Sequence, residues 1–88
     1  MKPKKLYIYH SAPRQLIGGA VEWIYISGRK IRLNQDGTVS QNSIWYSVLM
    51  EIEKARRYGL KVPRVGVIGE ITVPQELWTK IKDERYED

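Results

Sequence analysis

The sequence predicts a small α+β domain: a mixed, mainly antiparallel sheet of about four strands with two helices on one face, in the order β-β-β-α-β-α. Three observations carry that expectation. Two stretches near the start, "KKLYIYH" and "AVEWIYIS", are dense in Tyr and Ile, residues that suit a pleated surface. Apolar residues then recur at helical spacing between Ser43 and Tyr58. Finally "RVGVIGEITV" returns to strand composition before a second helical pattern closes the chain.

The elements follow in order. "KKLYIYH" (4–10) is the first strand. "SAPRQLIGG" (11–19) connects it to the next, with Pro13 restricting the backbone and Gly18–Gly19 permitting a bend. "AVEWIYIS" (20–27) is the second strand and "KIRLN" (30–34) the third, joined as a hairpin by "SGRK", in which Gly28 can take positive φ. "NQDG" (34–37) has Asn first and Gly last, as a type I turn prefers, and "TVS" (38–40) is a stub of further strand. A helix is expected over 43–58, with Ile44, Val48, Leu49, Ile52 and Ala55 on one face and Trp45 at its margin. Ser40 or Ser43 can cap its start, Gly59 can end it in the left-handed conformation, and Arg56 and Arg57 complement the dipole in its last turn. The strand at 64–73 has apolar residues on both faces, which predicts a central position covered on both sides. Gly66 and Gly69 in it mark a bulge or a close approach of other chain. The third strand, the first helix and this last strand are expected to form a right-handed crossover. "TVPQELWTKI" opens the second helix, with Pro74 in its first turn and Leu77, Trp78 and Ile81 facing inward. The end, 83–88, is expected to fray.

The chain, 88 residues long with 42% apolar and 28% charged residues, reads as one folded domain with a modest core. It has no cysteine, which excludes disulfides and thiolate zinc sites and suits a cytoplasmic protein. No apolar run reaches the ~18–20 residues that span a bilayer, and "MKPKKLYIYHSAPR" lacks the long apolar stretch of a signal peptide, so no membrane partner is expected. Abundant Lys, Arg, Ile and Tyr, without Cys or Phe, suggest a thermophilic source.

Catalysis finds little support. His10 is the one histidine, and its neighbour Ser11 points to the opposite face of a strand with no third group to orient the pair. Glu22 and Glu70 are the carboxylates that a small hydrolase would use, together with His10. "RQLIGGAVE" has neither GxxxxGK nor GxGxxG, so no phosphate loop of those kinds is present. The expectation is a non-enzymatic protein with no catalytic residues, no metal and no cofactor.

Charge and strand parity point instead to binding. The net charge is +5, and residues 1–33 hold seven Lys or Arg against one Glu, whereas residues 73–88 hold three against five acids. An anionic partner at the basic end is a natural consequence. By parity, Leu6, Ile8, Ile24, Ile26, Ile31 and Leu33 share one face of the sheet and pack under the helices. The opposite face collects Tyr7, Tyr9, Trp23, Tyr25, Lys30 and Arg32, extended by Arg14 in the loop and Arg29 at the hairpin tip. Aromatic rings there can stack on unpaired bases while the cations hold phosphate. Three readings of this face follow: binding of single-stranded DNA or RNA; self-association, with a homodimer favoured, through the same aromatic surface; or burial under part of the chain itself. A second basic patch comprises Lys54, Arg56, Arg57, Lys61 and Arg64 around the end of the first helix.

One segment has a family likeness. "YHSAPRQLIGGAV" (9–21), a strand followed by Ser-x-Pro and then Gly, resembles part of the ASCH and PUA-like RNA-binding domains. The resemblance covers thirteen of the 88 residues, and what it implies is a nucleic-acid partner.

Overall fold

Alternation along the first strand organises the molecule. In the computed structural model, which describes residues 2–11, 14–16 and 19–84 and the side chains of these apart from 14–16, 19–21 and 84, β1 spans Pro3–His10. Leu6 and Ile8 on one side of it are wholly buried, while Tyr7 and Tyr9 point to the other. β1 pairs antiparallel with two strands at once: with β4 (Trp23–Ser27), placing Ile8 opposite Ile26, and with β6 (Ile68–Pro74), placing Ile8 opposite Gly69. A further strand, β5 (Val48–Glu51), lies antiparallel on the far side of β4, so the sheet order is β5-β4-β1-β6.

The architecture is therefore α+β, built on a four-stranded antiparallel sheet. Between β1 and β4 the hairpin continues outward as β2 (Arg14–Leu16) and β3 (Gly19–Val21), paired with each other. His10 pairs with Ile24 in the sheet and Arg14 with Val21 in the arm, so the register shifts by one between them. Pro13 and Gly18, expected to shape this connection, lie outside the described residues, as do 85–88 of the tail.

Helices α2 (Ile52–Arg57) and α3 (Gln75–Glu84) cover the aliphatic face. Ile52, Ala55, Leu60, Trp78 and Ile81 pack there with Leu6, Ile8, Ile24, Ile26, Val48, Met50 and Val73. At ~1.5–3 kcal/mol per buried large aliphatic side chain, this cluster is the main favourable term for folding. α2 ends as its sequence foretells: Gly59 has φ +79°, its N–H donates to Arg56 O at 2.9 Å, and Leu60 N–H donates to Ala55 O at 3.1 Å. That is a Schellman motif, closed by Leu60 entering the core beside Ala55.

Four sequence expectations are corrected. The helix over 43–58 is three elements: α1 (Gln41–Tyr46), then β5, then α2. Ser40 caps α1, and Ser47 ends it by donating from Oγ to Ser43 O at 2.5 Å. In β5, Val48 and Met50 are buried whereas Leu49 and Glu51 are exposed, so period two overrides the period of 3.6 that the same residues also fit. Secondly, residues 30–34 do not form a third strand of the main sheet; the chain leaves β4 at Ser27 and crosses the aromatic face. Gly28 does not adopt positive φ, so the hairpin turn expected of "SGRK" does not form. An added Cβ there would sit 3.2 Å from Lys4 Cε, the mobile end of a long side chain.

Thirdly, β6 is an edge strand and not a central one. Residues before it run along the end of β1 instead: Val65 bridges His10 in parallel, Gly66 N–H donates to His10 O at 2.9 Å, and Val65 and Val67 stay exposed. The close approach expected at Gly69 is made by the Pro63 ring, 3.1 Å from where a Cβ would stand. Fourthly, no right-handed crossover forms, because every pairing between neighbouring strands of the sheet is antiparallel.

The "NQDG" turn is present. Asn34 N–H donates to Thr38 O at 2.7 Å, Gly37 has φ +86°, and Leu33 bridges Val39 across it. Asp36 accepts from the Thr38 hydroxyl at 2.6 Å and from its backbone N–H at 3.0 Å, and these bonds hold its carboxyl below the usual 3.8. A carboxyl depressed on folding contributes stability above its unfolded pKa, and that contribution is lost as pH falls through the folded value. Two tests follow. Ile8→Ala should cost about 2–5 kcal/mol in denaturant unfolding, since it opens a cavity between sheet and helices. An NMR titration should find Asp36 ionising below the ordinary aspartate value, and Asp36→Asn should remove the acid-side weakening of this turn.

Candidate functional site

The aromatic face is divided in two. Its middle is closed by the chain itself: Ile31 and Val39, from the segment 28–40 that follows β4, are buried against Tyr9, with Tyr7, Tyr25 and Ile68 packed at the margin. Tyr9 is 5% exposed, and its hydroxyl donates to Gly37 O at 2.8 Å, tying the turn to the sheet. Ile31, expected under the helices, thus belongs to the opposite core, and Leu33 remains exposed. Of the three readings given to this face, cover by the chain itself describes its centre. Tyr9 is withdrawn from any partner, and Tyr7 and Tyr25 are half-buried.

The cations predicted for this face ride on the covering segment. α1 grips that segment: Arg32 N–H donates to Ser43 Oγ at 2.8 Å, the Tyr46 hydroxyl donates to Lys30 O at 2.8 Å, and the Arg29 guanidinium lies 5.6 Å from the centre of the Tyr46 ring. Arg29, Lys30 and Arg32 are all exposed. Beside Tyr46 on the same helix stands Trp45, 68% exposed. The structure therefore brings the segment of three predicted cations against Tyr46, on the helix that also carries Trp45, which the sequence reading sets at the margin of a longer helix. The signal that could have found them is "SQNS" (40–43), a run of capping residues that starts a short helix, followed by alternation in "VLME".

Trp23, 37% exposed, sits toward the β5 edge, opposite Glu51. It lines an open groove of about 590 Å³ with Ile44 of α1, Leu49 of β5, and Lys54 and Arg57 of α2. So Lys54 and Arg57 of the second basic patch approach the aromatic site, while Arg56, Lys61 and Arg64 are exposed but do not line this groove. The side chain of Arg14 lies outside the described residues.

Of the three residues named for hydrolysis, Glu22 and His10 meet and Glu70 is engaged elsewhere. Glu70 faces the aromatic side, paired with Lys5 at 3.2 Å, and this pairing raises the Lys5 pKa. Glu22 lies instead beside His10, its carboxylate 3.9 Å from Nε2. His10 is buried at the end of β1, with Nδ1–H donating to Pro63 O at 3.1 Å, while Nε2 has no hydrogen-bond partner among the described residues. Among the described residues no group of three or more His, Cys, Asp or Glu is placed to hold a metal, and no helix is long and apolar enough to cross a membrane. No family model, curated protein or solved structure matches the chain.

The clamp from Tyr9 to Gly37 O is testable. Tyr9→Phe should destabilise the fold by about 1 kcal/mol. Ile31→Ala should cost more and raise the exposure of Tyr9, read as fluorescence quenching by an added aqueous quencher.

Proposed function

We propose that this chain is a small basic protein that binds single-stranded nucleic acid across the surface formed by α1 and residues 29–32. The observation that carries the reading is the anchoring of residues 29–32 against α1, the helix that also carries the exposed Trp45. Bonds to the backbone of residues 30 and 32 hold the segment that carries the cations before any ligand arrives, which lowers the ordering cost of binding. A phosphodiester chain would lie along the three cations, and an unpaired base would stack on Trp45, with Trp23 as a second platform reached past Ile44. Lys54 and Arg57 extend the positive field beyond Trp23. The net charge of +5 and the likeness of residues 9–21 to RNA-binding domains support the same reading, which places the protein where nucleic acid is, in the cytoplasm.

Base edges are not read by this arrangement, because stacking and phosphate contacts tolerate every sequence. Weak sequence preference and steep salt dependence are therefore expected. Fluorescence titration with single-stranded oligonucleotides should show binding that falls as salt rises, with a slope near −0.7 per phosphate contacted. Trp45→Ala should weaken binding by roughly 1–3 kcal/mol. Changing Lys30 and Arg32 to Gln should flatten the salt slope by about 0.7 for each lost contact. Absence of binding at low salt, or a Trp45→Ala variant that binds as the parent does, would remove the proposal. Self-association through the same aromatic face is the other expectation; with the centre of that face covered by residues 31 and 39, the open edge of β5 is the surface that supports self-association instead.

A further inference from the structure

We infer that β5 is a self-pairing edge, and that two copies of this chain join antiparallel about Leu49 to make one continuous sheet. The inference is independent of the nucleic-acid reading.

The starting point is the direction of the backbone groups in β5. Ile52 N–H donates to Glu22 O at 3.1 Å, so residues 22 and 52 occupy a hydrogen-bonded position of the β4–β5 ladder. Hydrogen-bonded and non-bonded positions alternate in an antiparallel pair. The register Ile24 to Met50 and Ile26 to Val48 then directs Met50 and Val48 toward β4, while Leu49 and Glu51 turn their backbone groups outward. Among the described residues no strand lies beyond them, because β5 ends the sheet.

Two groups on that edge are already engaged. The Ser47 N–H donates to Ile44 O at 3.3 Å. Glu51 is the N-cap residue of α2, and an N-cap carbonyl accepts the first bond of its helix. What faces outward is the Ser47 carbonyl, both groups of Leu49, and the Glu51 N–H. This set is its own complement. A two-fold axis at Leu49 pairs that residue with Leu49 of the second copy through both groups, and sets each Glu51 N–H against the Ser47 carbonyl opposite. The two engaged groups, Ser47 N–H and Glu51 carbonyl, fall across from one another, so neither is missed. A foreign strand would meet a gap at each of those positions.

The side chains agree. Leu49 is 51% exposed although it lies mid-strand, and the axis would bury it against its own copy. The cations of the groove, Lys54 and Arg57, belong to the helix that follows β5, so the two-fold sets the clusters of the two copies at opposite ends of the joint. The edge is short and ends in Glu51, but it has no proline, no lysine and no inward charge, and the two-fold sets each Glu51 against Ser47 of the other copy and not against a like charge. Directly paired residues share a face of a sheet, so the aromatic sides of both copies would look the same way.

The chain has no cysteine, which makes the test direct. Leu49→Cys places two thiols at Cα positions about 5.5 Å apart across the axis, within disulfide range. With no nucleic acid present, mild oxidation should cross-link Leu49→Cys at least roughly tenfold faster than Lys61→Cys, an exposed control away from the edge. Sedimentation should show a concentration-dependent dimer of the unaltered chain. Leu49→Lys, at an exposed position that the fold tolerates, should weaken it more than ~100-fold through like charges on the axis, with the circular dichroism spectrum unchanged. A chain that stays monomeric at every accessible concentration overturns the inference. So does a dimer that survives Leu49→Lys while Leu49→Cys cross-links no faster than the control, because that dimer uses another surface. Slow amide exchange at Leu49 and Glu51 appearing only when a foreign peptide is added would give the edge to that peptide, and equally overturns it.

Discussion

Everything in this molecule leans on the two-sidedness of β1. It is a strand flanked by strands, so both of its backbone edges are satisfied, and both of its faces must then be covered by something other than water. Leu6 and Ile8 find α2 and α3; Tyr9 finds Ile31 and Val39. The second cover is thinner than the first and consists of irregular chain. It holds because Tyr9 supplies ring area and a hydroxyl together: the ring packs under Ile31, and the oxygen bonds the turn at Gly37. The segment that might have been one more strand is spent as a lid over the sheet.

That use of residues 28–40 explains what could and could not be read from the chain. The Tyr and Ile alternation of β1 and β4, the left-handed glycine after α2, the "NQDG" turn and the inward face of α3 are local signals, each written within a few residues, and each has its counterpart in the structure. The segment "KIRL" fits a strand equally well by pattern. What denies it that role is the distant fact that both edges of β1 are taken and that β5 holds the free side of β4. "SVLME" failed in the same way. Its apolar residues satisfy a helical stripe and a strand alternation together, and the choice is made by Ile24 and Ile26, which need a neighbour. Short apolar stretches are decided by their partners, and partners are not local.

The candidate site inherits this division. Sequence parity assembled Tyr7, Tyr9, Trp23, Tyr25 and the cations of 29–32 on one side, and that side is the right one for the rings. The cations reach it by lying on top of the rings rather than beside them, held there by Ser43 and Tyr46 of α1. With Tyr9 buried, the exposed rings are those of Trp23, which parity names, and Trp45, which it does not; in the proposed function these two would do the stacking.

The pairing of β1 with β6 has a consequence in time. Its partners run from Tyr9 and Ile68 at one end to Pro3 and Pro74 at the other, so the ladder joins the two extremes of the described chain. Such distant contacts must close a large loop before they return any free energy, and they slow the search for the native state. On a ribosome, β1 would emerge early and wait, with Leu6 and Ile8 uncovered, until β6 and α3 had been made. During that interval β4 is the only partner within reach, and the hairpin that extends through β2 and β3 is the structure able to form first. An arm formed with the hairpin would keep β1 engaged until the rest of the protein arrived.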